Sequence, residues 1–365
     1  MKGIRYDTID HNVLLGKIAH MGFRGVSHNY ITSYLENRKQ RTQVGNNKSS
    51  ERIITKGVPQ GSVMGPFLFC LGINDIFKAI KDAEAVLFAD DAAFFIVAKD
   101  IGTLYERIRR MLADLSRYLN CNMLVPNLSK SKLMFFSSRP HPPMGLEDIL
   151  FRNEKLEWVN EYKYLGLILS NKMSYARHID KVCTRVSQYT GVFYHLNKIL
   201  PRNVLMLLYH SHIVPHISLH IEIWGAAPEQ YISKLSIKQN KLLRAILNVL
   251  IINGRPMYPT INMYRDLKVL TTKCIFKLQL FKFLLRMLKG SLPSFYNLLL
   301  NPLLTTHQYQ TRGGNYRHPL ITSEVERRAV AHQIIILMES VEINDFLDLS
   351  MTVAVNKYRE MMLVQ

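Results

Sequence analysis

The sequence predicts an α+β protein with a mixed first half and a helical second half. Residues 1–172 alternate short β-prone runs with apolar residues at helical spacing, separated by turns that contain Gly or Pro. From about Tyr175 onward, long helical patterns dominate. Of the 365 residues, 48% are hydrophobic, which is ample for a buried core and suggests two or three domains. We therefore expect domains at residues 1–172, 173–250 and 251–365.

Helices are predicted in the first half where apolar residues recur every three or four positions. Residues 12–21 have this spacing and end at Gly22, and the apolar run at 67–80 follows the turn-rich stretch GVPQGSVMGP at 57–66. A third helix is predicted over 101–119, with an apolar face formed by Leu104, Ile108, Leu112, Leu115 and Leu119.

Strands and turns are predicted between these helices. Residues 85–98, AVLFADDAAFFIVA, carry β-branched and aromatic residues on both sides of two acids, which predicts a hairpin with the acids at or near its tip. Residues 127–138 predict a basic turn followed by a strand, and residues 157–170 contain a strand. The segment RPHPPMG at 139–145 is expected to be a surface loop.

Long helices are expected to make up the second half. Helical spacing predicts them over 178–200, over 203–220 with a kink at Pro215, and over 233–249. Residues 268–289 contain six basic residues and no acid, yet many of the other positions are apolar. We favour a core helix whose lysines reach to solvent over a nucleic-acid contact for this segment.

The charge balance points to a polyanionic partner. Lys and Arg number 47 against 28 Asp and Glu, a net charge of +19, which suits a nucleic acid or an anionic membrane. The 4 cysteines are scattered without a C-x-x-C pair, so disulfides and a zinc knuckle are not expected. No apolar run is long enough to span a bilayer and no signal segment is evident, so we expect an intracellular protein, nuclear or cytoplasmic, without a membrane partner.

A basic hairpin is predicted over residues 38–58. Two β-prone pieces flank a Gly-Asn-Asn-Lys-Ser turn, and the only acid among its charged residues is Glu51. A solvated face and a contact with phosphates are equally consistent with its cations, which are Arg38, Lys39, Arg41, Lys48, Arg52 and Lys56.

Two adjacent acids, Asp90 and Asp91, lie in an otherwise apolar run. Carboxylates forced together in a partly buried place repel one another, and a divalent cation removes that repulsion. Oxygen ligands of this kind suit Mg²⁺, which also binds substrate phosphates, and paired ions roughly 3.5–4 Å apart support phosphoryl displacement. A structural turn with two solvated acids explains most Asp-Asp pairs, but the apolar flanks favour the metal-binding interpretation here.

Five blocks resemble, in order and spacing, the palm of a non-LTR (LINE-type) retrotransposon reverse transcriptase. They are YDTIDHNVLLGKIAHMGFRGVSHNYITSYLENRKQ, GVPQGSVMGPFLFCLGINDI, FADD, NLSKSKLMFF and EYKYLGLIL. The P-Q-G-S-x-x-G-P block followed by an aromatic-Ala-Asp-Asp is specific as a combination. Residues 178–218 and the pair Trp224-Gly225 resemble the thumb and the region after it, and the resemblance thins after about Arg317. It implies a partial polymerase palm, an antiparallel sheet with packed helices, followed by a helical thumb and a helical C-terminal region.

The resemblance implies an RNA-directed DNA polymerase that uses an RNA template, a DNA primer, dNTPs and Mg²⁺, with Mn²⁺ as an alternative. Asp90 would coordinate the metal ions, and Asp91 would support the metals and the primer end. Gln60 and Gly61 would pack against the templating base pair, where Gly permits a close approach. Lys130 would lie near the departing pyrophosphate, although an ordinary loop lysine explains it equally well. The primer-gripping turn would consist of Tyr164, Leu165 and Gly166.

Tyr6 corresponds to the aromatic residue of the family's motif A, which would exclude a 2′-hydroxyl by its bulk. The motif's metal-binding Asp precedes that aromatic by five positions, and in this sequence the position is Met1. Asp7 and Asp10 are the nearest acids, but in a strand Asp7 would lie roughly 20 Å from Met1, at about 3.3 Å per residue. A methionine thioether is a poor ligand for Mg²⁺.

We therefore expect a polymerase fragment, truncated at motif A, that has little or no activity. Losing a carboxylate that bridges two metals costs several kcal/mol in the transition state, and each ~1.4 kcal/mol is tenfold in rate. The alternative is a catalytically dead remnant that binds RNA or an RNA–DNA duplex, which predicts salt-dependent affinity indifferent to Asp90→Ala. The oligomeric state and the template preference stay open.

Overall fold

The computed structural model describes residues 6–59, 61–137, 148–249, 251–252, 255–293, 306–311, 314–316 and 323–364. The chain divides into two compact units, Met1–Asn160 and Glu161–Gln365. The first unit is mixed α and β and the second is mainly helical, as the sequence predicts. The predicted loop at 139–145 lies outside the described residues.

The first unit combines helices with short sheets. Its helices are α1 (His11–His20), α2 (Gly25–Leu35), α3 (Met64–Ile73), α4 (Ile76–Ala79) and α5 (Ile101–Cys121). Its strands are β1 (Lys39–Gln40), β2 (Gln43–Val44), β3 (Asn47–Lys48), β4 (Arg52–Ile53), β5 (Glu84–Phe88), β6 (Asp91–Phe95), β7 (Lys132–Leu133), β8 (Ile149–Phe151) and β9 (Glu154–Trp158). The antiparallel pairs are β1–β4, β2–β3 and β5–β6, and β9 lies between a parallel β7 and an antiparallel β8.

The amphipathic helix α5 is central to the core of the first unit. The Asp100 side chain accepts a hydrogen bond from the Thr103 backbone N–H at 2.8 Å and so caps the helix N-terminus. The predicted apolar face is buried at Ile108, Leu112, Leu115 and Leu119. It packs in one cluster with residues of α1 and α3, which confirms the helix predicted over 101–119.

The helix predicted over 67–80 is interrupted at Asn74 and Asp75, so that α3 and α4 are separate. The Asp75 carboxylate accepts hydrogen bonds from Lys17 Nζ at 2.7 Å and from Tyr118 OH at 2.6 Å. Lys17 Nζ also donates to the Gly72 carbonyl at 2.7 Å. Burial and the neighbouring Asp75 carboxylate raise the pKa of Tyr118 far above its usual range. This polar cluster joins α1, α5 and the end of α3.

The second unit consists mainly of packed helices. Its helices are α6 (Ala176–Leu196), α7 (Arg202–Leu208), α8 (Val214–Ser218), α9 (Ile221–Trp224), α10 (Glu229–Leu247), α11 (Thr260–Asp266), α12 (Thr272–Leu288), α13 (Glu324–Arg328), α14 (Val330–Ser340), α15 (Asn344–Leu347) and α16 (Met351–Val364). Antiparallel two-stranded ladders are formed by β10 (Glu161–Tyr164) with β11 (Leu167–Ser170), β12 (Ile251–Ile252) with β13 (Arg255–Pro256), and β14 (Thr306–Thr311) with β15 (Gly314–Tyr316).

The basic, apolar segment predicted over 268–289 forms α12 in the core of the second unit. Its Phe281 ring stacks on Tyr358 at 4.1 Å between ring centroids, and Leu284 and Leu285 are fully buried. Lys289 directly follows the last residue of α12, and its Nζ donates to the backbone carbonyls of Leu347 and Leu349. The core-helix interpretation is confirmed, but the Lys289 ammonium binds backbone carbonyls instead of reaching to solvent.

The helix predicted over 203–220 is irregular before Pro215. A π-helical turn, Tyr209–Ile213, separates α7 from α8. Proline has no N–H to donate, so the helical ladder loses one regular bond at this place. The kink predicted at Pro215 stays a prediction.

The hairpin β10–β11 belongs to the second unit, because Leu167 packs in the same core cluster as Ile179 and Val182 of α6. A strand was predicted within 157–170, and this range contains the end of β9 and both strands of the hairpin. The domain boundaries at 172 and 250 stay a prediction. No helix within the described ranges is long and apolar enough to cross a bilayer.

Candidate functional site

Asp90 and Asp91 lie at the tip of a tight hairpin, as the sequence predicts. The register of β5 and β6 pairs Phe88 with Asp91, which leaves Ala89 and Asp90 as the two-residue turn. Ala89 has a φ of 51°, in the left-handed region. An L-residue in this region costs about 1–2 kcal/mol, so this turn is held in a strained conformation by its surroundings.

The two faces of this hairpin differ in burial. On one face, Leu87 pairs with Ala92 and Ala85 with Phe94, and this face packs on the core of the first unit. The other face carries Asp91 beside Phe88, whose exposed fraction is 62%. Asp90 and Asp91 are themselves half-buried. The buried face therefore anchors the hairpin, while its tip presents two carboxylates in a partly apolar setting.

The turn Pro59–Ser62 is closed by hydrogen bonds of the Ser62 hydroxyl. Ser62 Oγ donates to the Pro59 carbonyl at 2.7 Å and accepts from the Gly65 N–H at 2.9 Å, at the start of α3. A Cβ added at Gly65 would lie 2.5 Å from the Pro59 oxygen, so this glycine allows the turn to close on the helix. Gln60 lies outside the described residues.

Gly61 is exposed, has a φ of 81°, and an added Cβ would meet no protein atom within 4 Å. No atom of the described residues approaches Gly61 closely, and the close approach expected of a templating base pair stays a prediction. Its backbone conformation explains the glycine, because other residues adopt a positive φ only at a cost. The open space above it leaves room for a bound molecule.

The backbone that follows Tyr6 packs against the strand leading to this turn. Tyr6–Thr8 form a 3₁₀ turn, and the Gly57 N–H donates to the Ile9 carbonyl at 2.7 Å. A Cβ added at Gly57 would lie 2.7 Å from Asp7 Cα. The Tyr6 backbone is therefore held close to the segment that enters the Pro59–Ser62 turn.

Of the two acids near Tyr6, Asp10 is occupied as a helix cap. The Asp10 carboxylate accepts from the backbone N–H groups of Asn12 at 3.0 Å and Val13 at 3.3 Å, so it caps α1. Asp7 lies in the 3₁₀ turn and not in a strand, so the strand spacing used for its distance from Met1 does not apply. Met1 itself lies outside the described residues.

Lys130 is exposed at the end of a 3₁₀ turn, Leu128–Lys130. The next residue, Ser131, is buried, and its hydroxyl donates to the Asn127 carbonyl at 2.9 Å. Lys132 Nζ forms an ion pair with Glu157 at 2.7 Å across the parallel strands β7 and β9. Ser131 and Lys132 therefore fix the turn, and Lys130 is at the surface.

The predicted primer-gripping turn joins β10 and β11 in the second unit. Tyr164 pairs with Leu167, and the intervening Leu165 and Gly166 have φ values of 47° and 92°. Positive φ at both positions is the signature of the tight hairpin turns that match strand twist. His220 Nε2 donates to the Leu165 carbonyl at 2.8 Å, which holds the turn against the helices.

His178 supports the same hairpin from α6, a role that its sequence context does not indicate. Its Nδ1 accepts from the Ile168 backbone N–H at 3.3 Å, and its ring lies 5.5 Å from that of Trp224. Burial, and then the positive charges of Lys181 and His220, lower the pKa of His178 to about 4. A neutral ring with a free Nδ1 lone pair is what the Ile168 hydrogen bond requires.

The pair Trp224-Gly225 is a packing feature of the second unit. Trp224 is fully buried and its Nε1 donates to the Leu219 carbonyl at 2.9 Å. A Cβ added at Gly225 would lie 2.3 Å from Phe276 Cδ2, so only glycine allows α12 to approach this closely.

The predicted site residues are divided between the two units. Gly61, Asp90, Asp91 and Lys130 are in the first, and the turn at 164–166 is in the second. Within the described residues, no group of three or more His, Cys, Asp or Glu side chains is placed to hold a metal ion. The two half-buried carboxylates at the hairpin tip suit a divalent cation as hard oxygen ligands, but they form only part of a ligand set.

The first unit contains a hairpin with paired acids at its tip and a glycine turn that starts a partly buried helix. Residues 5–169 match the model of the reverse transcriptase (RNA-dependent DNA polymerase) family.

The curated relatives come from mobile elements and agree with the non-LTR retrotransposon type. The chain is 30% identical over 284 residues to the RNA-directed DNA polymerase from mobile element jockey of Drosophila melanogaster, covering 72% of this chain and 29% of that protein. It is 27% identical over 251 residues to the probable RNA-directed DNA polymerase from transposon X-element of the same species, covering 66% and 26%. The corresponding protein from transposon BS is 26% identical over 277 residues, covering 71% and 30%. The chain thus spans less than a third of these relatives.

Proposed function

We propose that the first unit is a reverse-transcriptase palm that binds an RNA template paired with a DNA primer. The observation that carries this proposal is the hairpin tip, where Asp90 and Asp91 follow a strained Ala89 on a hairpin anchored in the core. Two adjacent, half-buried carboxylates repel each other unless a counter-charge is present. In a nucleic-acid polymerase, bound divalent cations supply that counter-charge.

In this proposal Asp90 and Asp91 hold Mg²⁺, with Mn²⁺ as an alternative. A bound divalent cation supplies the positive charge that stabilises the attacking and leaving oxygens of nucleotidyl transfer. The exposed, unobstructed Gly61 offers a surface for the templating base pair, together with Gln60. Lys130 at the surface would neutralise the departing pyrophosphate, Tyr6 would select the sugar, and the turn at 164–166 would hold the primer.

We further propose that a polypeptide of residues 1–365 does not extend a primer on its own. Position 1, where the family has a metal-binding Asp, is Met, and the Asp10 carboxylate is occupied in capping α1. The loss of one bridging carboxylate removes several kcal/mol of transition-state stabilisation, at ~1.4 kcal/mol for each factor of ten in rate.

A second candidate function is nucleic-acid binding without chemistry. The net charge of +19 and the exposed basic hairpin at 38–56 favour it. It differs from the first proposal only in the role of Asp90 and Asp91, since the phosphate contacts are made by cations.

Primer extension on an RNA template with Mg²⁺ or Mn²⁺ tests these proposals. We expect the 1–365 polypeptide to bind the primer–template without extending it. A matched variant carries Met1→Asp behind an added initiator methionine, and extension by this variant that disappears with Asp90→Ala would support the palm assignment. Extension by the unmodified polypeptide that is abolished by Asp90→Ala would overturn the proposed inactivity, and an absence of primer–template binding would overturn both functions.

A further inference from the structure

Residues 39–53 form an arm that contributes no side chain to a core. The outer ladder pairs β1 with β4 and the inner ladder pairs β2 with β3, with Gly45 in the left-handed region at φ 60° between the inner strands. Every residue from 39 to 53 is exposed. Because an isolated two-stranded hairpin is marginally stable in water, packing does not explain why the chain keeps this basic arm.

The basic arm carries four cations, Lys39, Arg41, Lys48 and Arg52, and one acid, Glu51. Lys39 Nζ and Arg41 NH1 lie 3.6 and 3.9 Å from the same Glu51 carboxylate, and all three side chains are at least half exposed. Such pairs contribute little and leave the two cations solvated. Among the ion pairs of the described residues, none involves Lys48 or Arg52.

The cations lie on both faces of the basic arm. The register of the outer ladder places Lys39 beside Ile53 on one face and Arg52 beside Gln40 on the other. A membrane-binding surface separates its apolar residues from its cations, and this arm does not. Cations distributed around an extended hairpin suit the phosphates of a nucleic-acid strand, whose charge is spread along its length.

The base of the basic arm contacts the start of α1 and leads into the Pro59–Ser62 turn. The Ile54 N–H donates to the Arg38 carbonyl at 2.9 Å and closes the arm, and Arg38 lies over the Tyr34 ring at 5.2 Å. Lys56 forms an isolated β-bridge with Asp10, and the His11 N–H donates to the Thr55 carbonyl at 3.3 Å. The arm therefore emerges between the segment that follows Tyr6 and the Pro59–Ser62 turn.

We propose that the basic arm binds phosphates of the nucleic-acid strand that enters the candidate site. The identity of that strand rests on the proposed function, but the phosphate contacts do not depend on chemistry at Asp90 and Asp91. A single strand and an RNA–DNA duplex both offer these phosphates, and the probes below distinguish them.

The test is equilibrium binding by fluorescence anisotropy between 50 and 200 mM salt. The probes are a labelled single-stranded RNA and a labelled RNA–DNA duplex, and the protein is the full chain. The arm variant is K39Q/R41Q/K48Q/R52Q. Each phosphate contact contributes roughly −0.7 to −0.9 to the slope of log affinity against log salt. Because the variant removes four cations, we expect this slope to fall in magnitude by about three. The affinity at low salt should fall at least tenfold.

A matched control variant, R24Q/K78Q/K81Q/K99Q, removes the same charge from exposed positions of the first unit outside the arm. We expect its slope to change by less than about one. Because the arm buries nothing, the arm variant should keep the circular dichroism spectrum and melting temperature of the parent. A loss on either probe supports the proposal, and the larger loss identifies the strand state that the arm holds.

Equal losses in the two variants would show that only net charge matters and would overturn the proposal. If the arm variant binds both probes as tightly as the parent does, the proposal for the arm is overturned and the proposed function is not affected. If the parent binds neither probe, the proposed function fails as well. Binding of polyglutamate that depends on the arm, with no binding of nucleic acid, would assign the arm to an acidic protein partner and overturn the nucleic-acid proposal.

Discussion

Ala89 and Leu165 hold left-handed backbone conformations at two of the predicted functional turns, with φ values of 51° and 47°. Strained residues of this kind persist only where the surrounding structure determines them, and they cluster at functional sites. At 164–166 the determinants are visible, because His220 and α6 hold the turn through hydrogen bonds. At the 88–91 tip the buried face of the hairpin has that role.

Gly166→Ala should lower the free energy of unfolding by about 1–2 kcal/mol, because φ is 92° and the added Cβ would lie 3.2 Å from Leu219 Cδ2. The matched control is Gly191→Ala in α6, where an added Cβ meets nothing within 4 Å. Alanine has the higher helix propensity, so the control should gain about 1 kcal/mol. Urea unfolding measures the free energy of unfolding of both variants relative to the parent. Changes of the same sign in the two variants would contradict the structure.

His178 should make stability depend on pH. Its folded pKa of about 4 is below its unfolded value of 6.5, so the unfolded state binds more protons between these values. The contribution of His178 to the free energy of unfolding is therefore fully present above about pH 6.5. About 3 kcal/mol of the free energy of unfolding is lost as the pH falls towards 4.

The measurement for this prediction is urea unfolding followed by Trp224 fluorescence in a Trp158→Phe background. His178→Gln keeps a hydrogen-bond acceptor for Ile168 and removes the titration. The loss between pH 7 and pH 4 should then be smaller by about 3 kcal/mol than in the parent. Parallel pH profiles for the two proteins would refute the assignment of a buried neutral histidine.

The acids at the hairpin tip were predictable from the sequence, because their apolar flanks and the tight turn are local signals. His178 and His220 were not, since an isolated histidine in a helical pattern carries no sign of the backbone group that it will bind. The free space above Gly61 was also not predictable from the sequence. A sequence shows that a glycine is present, but not whether its backbone conformation or a close contact requires it.

Helix α5 shows how well a strong amphipathic pattern predicts an element, whereas α3 and α4 show its limit. The run at 67–80 is apolar almost throughout, so its periodicity does not reveal the interruption at Asn74 and Asp75. The interruption coincides with a non-local contact, in which Asp75 binds Lys17 and Tyr118. For residues 161–170, a strand was predicted but the hairpin was not. Its two strands are short, and packing on α6 supports them.

Asp75→Ala should destabilise the first unit by about 2 kcal/mol, since it leaves Lys17 and Tyr118 without their shared acceptor. The Lys17 side chain is 16% exposed and that of Asp75 is 38% exposed, so solvent screens part of the ion pair. The matched control is Asp148→Ala, which breaks a mostly exposed pair with Lys155 and should change stability by less than ~1 kcal/mol. Equal losses by chemical denaturation would argue against a structural role for the cluster.

At the scale of the whole molecule, the sequence predicted an α+β class with a helical second half, and the structure confirms it. The division at Asn160–Glu161 was not predicted, because it depends on which core the hairpin at 161–170 joins. The resemblance to reverse transcriptases is carried by the order of the blocks along the first unit, and residues 5–169 match the model of that family. The positive charge is a property of the whole chain, with 47 Lys and Arg.

Nucleic-acid affinity should therefore not depend on the acids at the hairpin tip. Asp90→Ala should leave the affinity for an RNA–DNA duplex within about threefold and leave the salt slope unchanged, because phosphates are neutralised by Lys and Arg and not by carboxylates. Anisotropy titrations in the absence of divalent cations make this comparison. A loss of more than tenfold would show that Asp90 shapes the binding surface itself.

The central claim is that Asp90 and Asp91 present a divalent-cation site at the hairpin tip. The most direct measurement is a Mn²⁺ titration of the full chain with a bound primer–template, followed by the electron paramagnetic resonance signal of free Mn²⁺. The matched variant is Asp90→Asn/Asp91→Asn, which keeps the shape of the side chains and removes their charge. We predict that the parent binds Mn²⁺ at least tenfold more tightly than the variant. Superimposable binding curves for the two proteins would contradict the account.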